Sequence, residues 1–133
     1  MIRLLVKHGA NIYACNDQGI NMLHVAAQGD SPASAVYFIN KGFDPDTIDK
    51  LGMTPLHHAG HYGCELSVIY LVQYKASIDL RDAKGQTPLH TSISRFADHK
   101  NPECMKRLLL QGADRDAVDK EGKTMLDLLK QVQ

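Results

Sequence analysis

The sequence has no net charge, little cysteine and no long apolar run. Lysine plus arginine number 15 and aspartate plus glutamate 15, so the formal charge is zero. That balance excludes the overall basicity of a nucleic-acid-binding chain and any general attraction to an acidic membrane. The three cysteines, Cys15, Cys64 and Cys104, stand 49 and 40 residues apart and form no CxxC pair. An odd, sparse set excludes a disulfide framework and fits a reducing compartment. The best apolar run, Val68-Ile69-Tyr70-Leu71-Val72, falls far short of the roughly 18 residues a spanning helix needs. The opening Met1-Ile2-Arg3-Leu4-Leu5 carries one basic residue and soon turns polar, unlike a signal peptide. Soluble, cytoplasmic and monomeric is therefore the expected state, without direct membrane insertion.

Catalytic constellations are also missing. No GxxxxGK phosphate loop occurs. Asp82, Asp98, Asp114, Asp116 and Asp119 are scattered over turn-like segments and share no evident pocket. The densest chemical cluster is His57, His58, His61 and Cys64. His57 and His61 are four apart, so on a helix both point the same way, and Cys64 adds a third soft ligand. Against a metal, His57 belongs to a series with His24 and His90, and no second cysteine lies nearby. A histidine that returns once per unit reads as scaffold. The expectation is no enzyme, no metal and no cofactor, with the cysteines as small packing residues.

What the sequence does have is a repeat. Gly19-Ile20-Asn21-Met22-Leu23-His24 aligns with Gly52-Met53-Thr54-Pro55-Leu56-His57, with Gly85-Gln86-Thr87-Pro88-Leu89-His90, and with Gly122-Lys123-Thr124-Met125-Leu126-Asp127. The glycines are 33, 33 and 37 residues apart. A second landmark, Gly9-Ala10, Gly42-Phe43, Lys75-Ala76 and Gly112-Ala113, precedes each by 10 residues. Thr54 and Thr87 are helix caps, and Pro55 and Pro88 fall at the first helical position, where the missing N–H is harmless. Leu56 and Ala59 share a face, Gly63 turns the chain, and Leu66, Val68, Ile69, Leu71 and Val72 give a second helix its core side. The glycines at 9, 42 and 112 suit the left-handed end of that second helix. Asp79, Asp82 and Gly85 mark a hairpin-like turn.

A 33-residue period with Thr-Pro-Leu-His resembles the ankyrin repeat over nearly the whole chain. The resemblance implies an all-α ankyrin-repeat solenoid: stacked helix-turn-helix units joined by short β-hairpin loops, as one domain over 1–133. Its units are a half repeat (1–15), repeats 16–48, 49–81 and 82–118, and a half repeat (119–133). The opening helix is expected at about Ile2 to His8 and the last at about Met125 to Val132. Both ends fall mid-unit, with Met125, Leu126, Leu129 and Val132 as an apolar stripe, so an excerpt of a longer chain, or a packed partner, is expected. The third repeat carries extra residues near Ser94 to Pro102, which read as a tolerated surface loop or as an addition to the binding face. Gly60 stands where alanine is expected and should weaken its helix by roughly 0.5–1 kcal/mol.

More narrowly, Asn21 to Asp30, the long third repeat and Leu108 to Arg115 resemble the ankyrin segment of DHHC-type protein palmitoyltransferases. In that family the segment recruits substrates for a membrane domain. That likeness would put the chain at the cytoplasmic face of a membrane, with the catalytic domain outside it.

The family likeness implies docking of another protein or peptide, with no nucleic acid, on a concave surface of hairpin tips and first helices. Specificity must lie where the units differ. Those positions include Gln18, Val25, Lys84, Glu121 and Lys123, and the candidate recognition residues are Tyr13, Ile20, Leu51, Met53, His58, His61, Tyr62, Gln86, Thr91 and Arg95. Leu51 and Met53, with His58, His61 and Tyr62, form the expected anchor, because apolar and aromatic side chains dominate interface energy.

Overall fold

A computed structural model describes residues 14–96, 100 and 102–131. Seven helices run through them: α1 (Met22–Gln28), α2 (Pro32–Asn40), α3 (Pro55–Tyr62), α4 (Glu65–Gln73), α5 (Pro88–Ser94), α6 (Pro102–Leu110) and α7 (Met125–Gln131). Each of the three whole repeats contributes two helices that pack on each other, and the units stack. The first helices form one row, α1 on α3 on α5 on α7, and the second helices another, α2 on α4 on α6. The expected helix at Ile2 to His8, Val132, and parts of the 94–102 segment lie outside the described residues.

Local chemistry explains where the helices begin. Thr54 accepts from the His57 N–H at 3.2 Å and Thr87 from the His90 N–H at 3.4 Å, each followed by proline. In the first unit Asn21 does this work without proline, accepting from the Leu23 and His24 N–H groups. Ser31 caps α2 ahead of Pro32. α3 ends at Gly63, whose φ of 69° is left-handed. Lys75 adopts the same conformation (φ 73°) where the neighbouring units use Gly42 and Gly112. A side chain tolerates it at roughly 1 kcal/mol.

The core is a single file of small aliphatics between the two rows. Leu23, Leu56, Leu89, Val68, Leu71 and Leu108 are buried, as is Phe38 of α2. Each such side chain contributes about 1.5–3 kcal/mol. Cys64 and Cys104 belong to the same core, and burial pushes their thiols up to about 11 and about 12. Thiols that hold their protons so firmly are packing groups, not nucleophiles. Met125 and Leu128 close the last unit, while Leu126 is exposed.

Gly60 departs from its sequence reading. A Cβ there would lie 2.8 Å from the Pro88 carbonyl oxygen and 3.3 Å from the Ser92 nitrogen. The residue is glycine because α3 and α5 approach there too closely for alanine, so it makes the packing possible rather than weakening it.

Between units the chain makes a tight loop. The closing bonds are Asn16 N–H to Ile20 O (3.0 Å), Asp49 to Met53 (3.0 Å), Asp82 to Gln86 (2.9 Å) and Asp119 to Lys123 (3.0 Å). Each is a hairpin in shape, but a single closing pair is too short for a ladder, and no strand occurs among the described residues. No helix among them is long and apolar enough to cross a membrane.

Candidate functional site

The hairpin tips are rigid for a reason visible in every unit. The side-chain oxygen of the first turn residue bonds the N–H groups two and four residues on. Asn16, Asp49, Asp82 and Asp119 each do so, at 2.9–3.0 Å. The glycine in each turn has positive φ: 77° at Gly19, 75° at Gly52 and 74° at Gly85. It also lets the tips touch through their main chains. Lys50 N–H reaches Gln18 O, Ala83 reaches Leu51 and Lys120 reaches Lys84, at 2.9, 2.9 and 3.2 Å.

The repeated histidines lock tip to helix. Nδ1 of His24, His57 and His90 accepts from the N–H of its own cap residue, so Nε2 carries the proton. That N–H donates to the next unit's hairpin: Met53 O (3.0 Å), Gln86 O (2.8 Å) and Lys123 O (3.1 Å). Burial lowers the basicity of His24 and His57, which keeps both in this neutral form. At the fourth unit Asp127 takes the histidine's place and accepts from the Thr124 N–H at 3.0 Å.

On this frame the expected recognition residues gather on one face. A cleft of about 190 Å³ is lined by Ile20, Leu51, Met53, His58, His61 and Tyr62, with Gln18, Gln28 and Asp49. An adjoining cleft of about 400 Å³ shares Leu51, Met53 and His61 and adds Gln86, Thr91 and Arg95. All nine described candidates therefore line two neighbouring clefts; Tyr13 lies outside the described residues. Leu51 is 57% and Tyr62 51% exposed, and both line the first cleft. The His61 and Tyr62 rings meet edge-on, 4.7 Å between centroids.

Two candidates sit deeper than a surface reading expects. Thr91 is buried because its hydroxyl folds back to the Thr87 carbonyl, 3.2 Å away. His58, also buried, forms the floor of the first cleft. Its Nε2–H donates to Asp49 Oδ2 at 2.9 Å and its Nδ1 accepts from the Gln28 amide at 2.9 Å. Since Asp49 Oδ1 holds the Leu51 and Met53 N–H groups, His58 braces the tip against α3. Burial outweighs the pull of Asp49 and brings the His58 pKa down to about 4. Burial pushes Asp49 up, but the Met53 N–H, the His58 ring and the Leu51 N–H outweigh it and hold the carboxyl below its usual value.

Sequence reasoning overlooked Gln28 and Asp49. Asp49 looked like one more turn residue, and Gln28 has no partner that local spacing reveals. The usable signal was the pairing of a turn aspartate with a histidine nine residues later, which only the 49–81 unit has.

The His57, His61 and Cys64 set does not assemble as metal ligands. Both ring nitrogens of His57 are bonded to protein, and the Cys64 thiol donates to Gln28 O at 3.3 Å. Ligand atoms of His24, Asp49 and His58 do lie within 4.8 Å of one another. Every one of those ring nitrogens already has its own hydrogen-bond partner, so the group is a buried polar network.

Two family models match the chain. One, described as ankyrin repeats (3 copies), covers residues 23–119, and another, ankyrin repeats (many copies), covers residues 1–39. No curated protein matches. Such repeats are in general protein-interaction modules and not catalysts. Nothing in these matches ties the chain to a palmitoyltransferase.

Proposed function

The chain belongs to the ankyrin-repeat family, and on that premise we propose that it docks a partner protein through the two clefts over α1, α3 and α5. One observation carries the reading: the side chains that vary between units converge on one face, with Leu51 and Tyr62 exposed above a fixed floor. Their supports are main-chain hydrogen bonds and the His58 brace, so little ordering is needed on binding. A prepaid geometry of this kind lets modest apolar anchors bind.

The test is the double variant Leu51→Asp with Tyr62→Ala. It should abolish capture of partners that wild type retains, with Tm shifted little, because neither side chain is buried. Unchanged affinity would remove the clefts from consideration. A second reading, the recruiting segment of a membrane palmitoyltransferase, keeps the same docking face. It rests on residues 21–30 and on the lengthened third repeat. Sequencing the transcript beyond Gln133 decides it: spanning helices and Asp-His-His-Cys support it, their absence refutes it.

A further inference from the structure

The clefts differ in charge, and the difference runs along the stack. The first has no lysine or arginine in its lining, and its one carboxylate, Asp49, is buried and committed to Leu51, Met53 and His58. One unit on, Lys84 takes the tip position of Leu51 and Arg95 the helix-end position of Tyr62. A third cleft of about 490 Å³ adjoins Lys84 and has Lys120 and Lys123 in its wall. The acids there are largely occupied. Asp82 and Asp119 each accept two N–H groups within their own turns, and Glu121 lies 3.1 Å from Lys123. Lys84 and Lys120 are exposed and have no side-chain partner among the described residues.

We infer that the partner contributes an extended, acidic segment: a large apolar side chain enters the first cleft, and Asp or Glu lies against Lys84 and Lys120. This rests on the docking reading above. Spacing follows from packing. Adjacent helices lie roughly 8–10 Å apart, and an extended chain advances about 3.3 Å per residue. One unit of the stack therefore matches about three residues of the segment. Charge sets the chemistry, since a basic residue at that point would meet Lys84 and Lys120 together.

The test is selection of a random phage-displayed peptide library on the immobilised 133-residue chain. Lys84→Glu/Lys120→Glu and Leu51→Asp/Tyr62→Ala are selected in parallel, and circular dichroism checks each fold. Wild type should enrich peptides with a large apolar residue and an acidic one about three positions away. By fluorescence anisotropy those peptides should bind the lysine double variant about tenfold or more weakly, and Lys84→Gln/Lys120→Gln with a smaller loss. Wild-type affinity should fall with added salt. Enrichment of apolar peptides without acidic residues, or with basic ones, overturns the charge inference. So does equal binding by the charge-reversed variant. In each of these cases the docking reading stands if Leu51→Asp/Tyr62→Ala loses the peptides. Peptides that bind all three proteins alike, or no enrichment at all, overturn both. A dimer in sedimentation that Leu51→Asp abolishes makes a second copy the occupant and also overturns the inference.

Discussion

At the scale of single residues, His58 is the most informative side chain. Its titratable neighbours are Asp49 and His24 from packed elements and His61 from its own helix, with Gln28 on the second nitrogen. In the neutral ring both nitrogens are satisfied, and a second proton would point at the Gln28 amide. The folded pKa, about 4, is below the unfolded value of 6.5. The neutral ring's contribution is therefore complete above about pH 6.5 and is lost as pH falls toward about 4. At full extent this is about 3 kcal/mol. Urea denaturation should show stability falling from pH 7 to about pH 5, and His58→Gln should flatten that dependence by about 1–2 kcal/mol. An identical slope in the variant would mean that the His58 proton is not linked to folding. The sequence could not display this role, because a polar residue on a first helix looks like surface. Only the approach of Asp49 and Gln28 from outside the helix buries it. Leu51, by contrast, was readable: a turn tip can hardly be anywhere but outside.

Among elements, the close contact of α3 with α5 is set by Gly60. Helix propensity alone favours Gly60→Ala by roughly 0.5–1 kcal/mol. The Cβ would then stand 2.8 Å from a backbone oxygen that no rotamer change can move. A net loss of about 1–3 kcal/mol is expected in urea melts, and a stabilised variant would show that the helices part freely. The helices themselves were legible from Thr-Pro caps, apolar spacing and turn glycines. Those signals are local to one unit, so they fix its shape but say nothing about how near the next unit comes. That is why Gly60 read as a defect. The same limit applies to the loops, where turn chemistry was plain but the missing strand ladder was not.

For the whole molecule, the stack makes stability a matter of neighbours. α3 is enclosed by α1, α4 and α5, and its residues 55–60 are buried throughout. α7 packs on α5 and leaves Leu126 63% exposed. Hydrogen exchange on this chain should therefore be slowest in α3 and fastest in α7. Equal protection in both would contradict a file of units coupled only to the adjacent ones.

The locks between units have a wider consequence. His24, His57 and His90 each grip a carbonyl, and the tips join through N–H and C=O groups. The side chains at 51, 53, 84, 121 and 123 take no part in those locks, whereas the Gln86 side chain bonds Asp119 of the next tip. Heritable change at these five places can therefore alter what is recognised while the architecture stays as it was. Affinity and foldability are written in separate alphabets, and a lineage can revise one without editing the other.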